Sequence, residues 1–238
     1  MTVPEPSVRG KQATIGVIML DTAFERFVGD IGNPESLPFP VLYRTVPGAS
    51  AAAITALTDD RFLDPFIATA EALIADGADG IMTSCGFLAL YQGQMAERLS
   101  VPVATSALLQ VPMVQRLLPR NRQVGVVTFN ATTLGAPHLE AAGASTLTPV
   151  VGLLEHGAFR RAILGDATGD SFYNREREAI LTAQHLVATH PNVGAIVLEC
   201  TNLVPHAAAI YAATGLPVYD VMTLALWFQA GLRPKSWA

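Results

Sequence analysis

The chain has 238 residues, half of them hydrophobic and 15% charged, so it is long and apolar enough to bury a real core and is not a disordered polymer. A formal charge of −5 with no run of basic residues argues against a nucleic-acid surface. No apolar stretch approaches the roughly 18 residues that a membrane helix needs, and residues 1–12 lack the pattern of a secretory signal, so a loose tail and a cytoplasmic home are expected.

In chain order, Ala13–Leu20 reads as a buried strand ending at Asp21-Thr22. A loop rich in Gly and Pro runs from Gly29 to Pro40, and Val41–Val46 is a second strand. Asp64-Pro65 pairs an N-cap carboxylate with a proline at the first helical position, and Phe66, Ile67, Ala70, Leu73 and Ile74 form the apolar stripe of the helix that follows. Gly80–Ser84 is a short strand running into Cys85. Then come a helix over Phe87–Leu99, a strand at Val101–Ala104 and a helix over Ser106–Leu118.

The order then repeats. Gln123–Thr128 is a strand, Thr132–Ala142 a helix, Leu147–Val151 a strand and Asn174–Thr189 a long helix stopped by Pro191. Val193–Leu198 is a strand leading to Cys200, followed by a helix near Pro205–Ala213, a strand at Pro217–Tyr219 and a last helix at Met222–Ala230. Ile15-Gly16-Val17-Ile18 answers Val124-Gly125-Val126-Val127. Val101-Pro102-Val103 begins 16 residues after Cys85, and Leu216-Pro217-Val218 begins 16 residues after Cys200. These matches predict an α/β fold of two pseudo-symmetric parallel-sheet halves, 13–119 and 120–238, with the site between them. The apolar C-terminal helix either closes the first half or covers a contact between copies.

Each cysteine follows an apolar strand and precedes a helix, the place where parallel sheets gather ligands. Amides at a helix start favour a thiolate, so Cys85 and Cys200 are read as an acid/base pair on opposite faces of a small-molecule substrate. A lone cysteine after a strand is more often core filler; matched placement in two halves reverses that preference. The carbanion formed between them needs donors, and the amides of Gly86 and Thr201 with the side chains of Thr201 and Asn202 are placed to supply them. Arg44 could grip a carboxylate, though a surface ion pair is its commoner fate. No CxxC and no zinc spacing occurs, so a metal is not expected, and no phosphate-loop or dinucleotide fingerprint is present.

The stretch Asp79-Gly80-Ile81-Met82-Thr83-Ser84-Cys85-Gly86-Phe87-Leu88-Ala89-Leu90-Tyr91-Gln92-Gly93 resembles the first catalytic strand and turn of the aspartate/glutamate/hydantoin racemase superfamily, which includes arylmalonate decarboxylases and maleate isomerases. Glu199-Cys200-Thr201-Asn202-Leu203 resembles the second. The resemblance implies a cofactor-independent racemase or epimerase of an amino acid or related carbonyl compound, with Cys85 and Cys200 catalytic. It implies substrate contacts at Asp21, Gly86, Phe87, Thr128, Asn130, Thr201 and Asn202. Decarboxylation or cis–trans isomerisation on the same scaffold, and a non-catalytic small-molecule binder, are the alternatives. Four positions depart from the family pattern: Gly86-Phe87 stand where acidic amino-acid racemases carry Asn-Thr, Glu199 replaces a glycine, and Asn202 replaces Glu or His.

Overall fold

A computed structural model describes residues 12–57 and 59–235. The expected tail, residues 1–12, falls outside these except for its last residue. The strands are β1 (Ile15–Leu20), β2 (Val41–Val46), β3 (Gly80–Thr83), β4 (Val103–Ala104), β5 (Gln123–Thr128), β6 (Val150–Gly152), β7 (Val193–Leu198) and β8 (Val218–Tyr219). They form two parallel sheets in the orders β2-β1-β3-β4 and β6-β5-β7-β8, so the second half repeats the topology of the first. Strands β1, β3, β5 and β7 are buried almost throughout, as parallel strands covered on both faces must be.

The helices are α1 (Ala51–Thr55), α2 (Leu63–Ala75), α3 (Gln92–Arg98), α4 (Val111–Leu117), α5 (Ala136–Ala141), α6 (Ala158–Ile163), α7 (Phe172–Thr189), α8 (Ala207–Thr214) and α9 (Val221–Leu232). Helix α2 buries the stripe Phe66, Ile67, Ala70 and Leu73 over β1 and β2; Phe66 is wholly inaccessible, a burial that contributes on the order of 2 kcal/mol. Its start differs from expectation. The helix begins at Leu63 with Phe62 as cap, and Asp64 lies in the first turn, where it pairs with Arg98 instead of capping.

Gly16 and Gly125 show why the halves read alike. A Cβ on Gly16 would stand 2.8 Å from Ile81 Cδ1 and 3.0 Å from Leu73 Cβ, and one on Gly125 would stand 2.8 Å from Leu186 Cδ2. Each glycine lets one long helix, α2 or α7, lie close on its sheet.

The halves exchange their last helices. Helix α4 packs against β5 of the second sheet. Helix α9 reaches back to β3, placing Phe228 and Leu232 on Gly80 while Gln229 donates to the carbonyl of Ala13. The two helix starts are laced together, since Gln110 donates to the carbonyl of Asp220 at 2.8 Å and accepts from Thr223 at 2.9 Å. Among the described residues no helix is long and apolar enough to cross a membrane.

Candidate active site

In each sheet the chain leaves the first strand to one side and returns on the other, so a crevice opens at the carboxyl ends of β1 and β3, and again at β5 and β7. The two crevices face each other. One cavity, about 380 Å³ of empty space including its mouth, is lined from all four strand ends. Leu20 ends β1 and Thr22 follows it, Ser84 to Phe87 follow β3, Phe129 follows β5, and Glu199 to Asn202 follow β7. Both cysteines line it. Thr22, Phe24, Ala51 and Ile163 also line a wider outer recess, which is the way in.

The turns after β3 and β7 are built alike. Cys85 and Cys200 are each the extended residue before a six-residue 3-10 turn, Gly86–Tyr91 and Thr201–His206. The expected α-helices start only at Gln92 and Ala207, in part because Pro205 has no N–H to give. Thr83 donates to the carbonyl of Thr105 at 2.6 Å, and Ser84 accepts from the Leu20 amide at 3.1 Å. Thr201 Oγ1 donates across the halves to the carbonyl of Ser84 at 2.8 Å. The pseudo-equivalent contact puts Gly86 on Glu199: a Cβ at Gly86 would collide with both Oε1 and the carbonyl oxygen of Glu199. Only glycine fits there.

Burial dominates the electrostatics. The Cys85 thiol is pushed up to about 12 by desolvation and then by the Glu199 charge, although the Phe87 amide opposes this. Cys200 is likewise raised well above its ordinary value for the same two reasons, against the Asn202 amide, and it also senses Cys85. The sequence expectation of a resting thiolate is therefore corrected. A short 3-10 turn offers few aligned amides, and sealing the sulfurs between two halves outweighs them.

The remaining expected site residues separate into three groups. Gly86, Phe87, Thr201 and Asn202 line the cavity with the cysteines. Yet the side chains of Thr201 and Asn202 are partly committed elsewhere: Thr201 donates to Ser84, while Asn202 gives one N–H to Asp30 and accepts from the Cys200 thiol at 3.6 Å. Asp21 stands only in the outer recess, accepting from the Gly48 amide at 2.9 Å. Thr128 is buried behind the cavity and donates to Glu199 Oε2 at 2.6 Å. Asn130 does not line the cavity; it closes a turn by accepting from the Thr132 amide. Arg44 pairs with Asp76 at the surface.

Several cavity residues escaped the sequence reading. Arg26 holds Asp30 with Nη1 at 3.0 Å and Thr22 with Nη2 at 3.0 Å, and lies 4.5 Å over the Phe24 ring. Phe24 and Phe129 add aromatic wall. The loop carrying Phe24 is fastened to the second half by the buried Arg175, which grips Asp170 bidentately, donates to the carbonyl of Glu25 at 3.1 Å and faces the Phe27 ring at 4.9 Å. Glu199 was noticed only as a departure, yet its carboxyl is wholly buried in the cavity wall. The signal was the lone acid set between the apolar run Val193–Leu198 and a cysteine. Among the described residues, no group of three or more His, Cys, Asp or Glu is arranged to hold a metal.

Residues 64–228, more than half of the chain, match the model of the Asp/Glu/Hydantoin racemase family. The chain belongs to that family. Its curated relatives include a dimethylsulfoniopropionate lyase of Durusdinium sp. clade D, 29% identical over 93% of this chain and 75% of the relative. Dimethylsulfoniopropionate lyases 3 and 7 of Emiliania huxleyi (strain CCMP1516) are each 30% identical, over 88% and 92% of this chain and 57% and 67% of their own lengths. The chain thus spans little more than half the length of some of these curated relatives. Among solved structures, arylmalonate decarboxylase superposes with a TM-score of 0.62 at 18% identity, covering 93% of this chain and 96% of that one. Glutamate racemase from Bacillus anthracis gives a TM-score of 0.62 at 14% identity, covering 93% and 82%. At such identities these two establish the shared two-half α/β fold.

Proposed function

We propose that this family member is a cofactor-independent lyase that removes the proton α to a carboxylate with a cysteine thiolate and then expels a β leaving group, with dimethylsulfoniopropionate as the substrate to test first. The observation that carries this reading is the pair of thiols on one small cavity in a chain aligned over most of its length with dimethylsulfoniopropionate lyases. The balance is simple. A thiolate takes the α proton, the electron pair forms the Cα–Cβ double bond, and the C–S bond breaks to give dimethyl sulfide and acrylate.

The cavity suits such a substrate. Phe24, Phe87 and Phe129 offer aromatic wall to a sulfonium with its methyl groups. A cation beside the thiols also offsets the desolvation that keeps them protonated, so substrate entry itself favours formation of the base. The amides at Phe87 and Asn202, already directed at the sulfurs, then hold the thiolate.

A second reading, racemisation or epimerisation of an amino acid or a related carbonyl compound, is favoured by the presence of a sulfur from each half, since inversion needs an acid and a base on opposite faces. One experiment separates the two. The protein is incubated in heavy water with dimethylsulfoniopropionate, and separately with amino acids and hydantoins, while dimethyl sulfide and deuterium at the α carbon are followed. The lyase reading expects dimethyl sulfide from the first substrate. Release that survives in both Cys85→Ala and Cys200→Ala rules out a thiol base. Exchange at a stereocentre without release, lost in both variants, establishes the second reading instead.

A further inference from the structure

Glu199 is an acid that the two-thiol scheme does not use. It sits at the carboxyl end of β7 beside Cys200, and its Oε1 rests against the Cα of Gly86, beside Cys85. Its charge reaches both sulfurs and raises each thiol. One oxygen, Oε2, accepts from Thr128 Oγ1 at 2.6 Å. The other, Oε1, is buried in the cavity wall with no hydrogen-bond partner. Among the described residues no arginine or lysine pairs with it. Arg26, the cation lining the same cavity, is neutralised by Asp30.

An unpaired carboxylate in such a place is costly, and it would oppose the chemistry as well. The working state already holds one thiolate and one substrate carboxylate. A third negative charge in the same small cavity would raise the barrier to the first step. A neutral carboxylic acid does the reverse, because a proton on Oε1 supplies a donor that an enediolate needs, at a site where the Thr201 hydroxyl is committed to Ser84 and Asn202 has given one of its two N–H groups to Asp30.

We propose that Glu199 works as a neutral acid, with the proton on Oε1 donated as a hydrogen bond to the carboxylate of the bound substrate. This rests on the reading above only in taking a carboxylate as the substrate class. Burial raises Glu199 to about 7, against the Thr128 hydroxyl and the Phe129 amide, so the neutral form is within reach under ordinary conditions. The other titratable groups on the cavity fit. Cys85 and Cys200 stay protonated, Arg26 and Asp30 neutralise each other, and His138, edge-on to Phe87, is kept neutral by burial. Gly86 is the matching half of the device, since any side chain there would displace the acid.

The test uses binding as well as turnover. Propionate and acrylate are titrated into the wild-type protein by calorimetry in buffers of different ionisation enthalpy. Near pH 8 a group that titrates at about 7 is mostly ionised when free, so binding takes up close to one proton; near pH 6 it takes up almost none. In Glu199→Gln the amide nitrogen replaces the protonated Oε1 while the amide oxygen still accepts from Thr128. Uptake disappears, turnover near pH 6 falls only three- to tenfold, and the alkaline decline near pH 7 is lost. Glu199→Ala loses roughly 10²–10³-fold. Thr128→Val removes the bond that favours the ionised form, so the alkaline decline moves to higher pH, a shift that a purely structural role would not produce. Binding without proton uptake, a dead but folded Glu199→Gln, or failure of both carboxylates to bind overturns the proposal. Proton-coupled binding without dimethyl sulfide release leaves it standing and defeats the lyase reading alone.

Discussion

Thr201 Oγ1 donates a 2.8 Å hydrogen bond to the carbonyl of Ser84, tying the turn of one cysteine to the turn of the other. Both partners are buried. Thr201→Val keeps the shape and strands a buried carbonyl, a loss of about 1–3 kcal/mol. Urea unfolding should show the lower midpoint at an unchanged slope, and turnover should fall because the spacing of the two sulfurs is no longer held.

Gly86→Ala drives a methyl group into Glu199. Overpacking of this kind costs on the order of 1–3 kcal/mol, and activity should fall at least tenfold with it. The collision involves the Glu199 carbonyl as well as its side chain. The double variant Gly86→Ala/Glu199→Ala should therefore recover only part of the stability, as a thermal melt of all three proteins would reveal. Full recovery would place the collision in the side chain alone.

Alkylation reports the thiols directly. With both raised by burial and by Glu199, iodoacetamide should react slowly at neutral pH, and the rate should climb with pH without levelling off below about pH 10. Cys85 keeps some accessible surface while Cys200 is buried, so Cys85 should be modified first. Peptide mass spectrometry over a pH series checks the order and the slope; a plateau near pH 7 would show a stable resting thiolate.

Two buried histidines set the acid limit. His206 is held down to about 4 by burial and by the Arg175 charge, and His138 to about 4 by burial. Both are depressed from the ordinary 6.5, so the unfolded chain binds more protons than the folded one between these values. Stability is complete above about 6.5 and drains away as the pH falls towards 4, by on the order of 1–3 kcal/mol for each ring. Among the described residues neither nitrogen of His206 has a hydrogen-bond partner, although Nδ1 stands 3.9 Å from Glu176 Oε2, and its ring packs on Phe159 and Phe172. His206→Phe should flatten the dependence of the urea midpoint on pH between 4 and 6.5.

Arg175 and Asp170 form a nearly buried pair that anchors the loop bearing Phe24. Asp170→Asn leaves an uncompensated interior charge and should cost about 3–5 kcal/mol, with proteolysis starting in that loop. Arg175→Met, which removes the charge along with the guanidinium, should cost less than the broken pair.

The strands were legible because their chemistry is local. Buried parallel strands are apolar runs, and β5 and β7 begin and end where those runs do. The duplication was legible because glycines, cysteines and prolines recur at matched spacing. Helices α1 and α6 were not, although both line the mouth of the cavity. Each is only a turn or so long, and α6 takes its N-terminal partner from Glu178, 20 residues away on α7. The cysteines could be placed from sequence, but the direction of their titration could not, because desolvation is a property of the closed cavity. Glu199 was visible as an oddity. Its meaning lay in Gly86, 113 positions earlier in the chain, and in the folded contact between them.

The crossing of α4 and α9 bears on ancestry. Cut at residue 120, each fragment would keep a sheet but lose a helix that covers part of it, and would bare a sticky apolar strip. A primitive gene encoding one such unit would have made a protein that functioned only as a swapped homodimer, each copy lending its terminal helix to the other. Fusion of two tandem copies would then have freed the twin sulfurs to diverge, since one gene could now place an acid beside one of them and a bare glycine beside its counterpart.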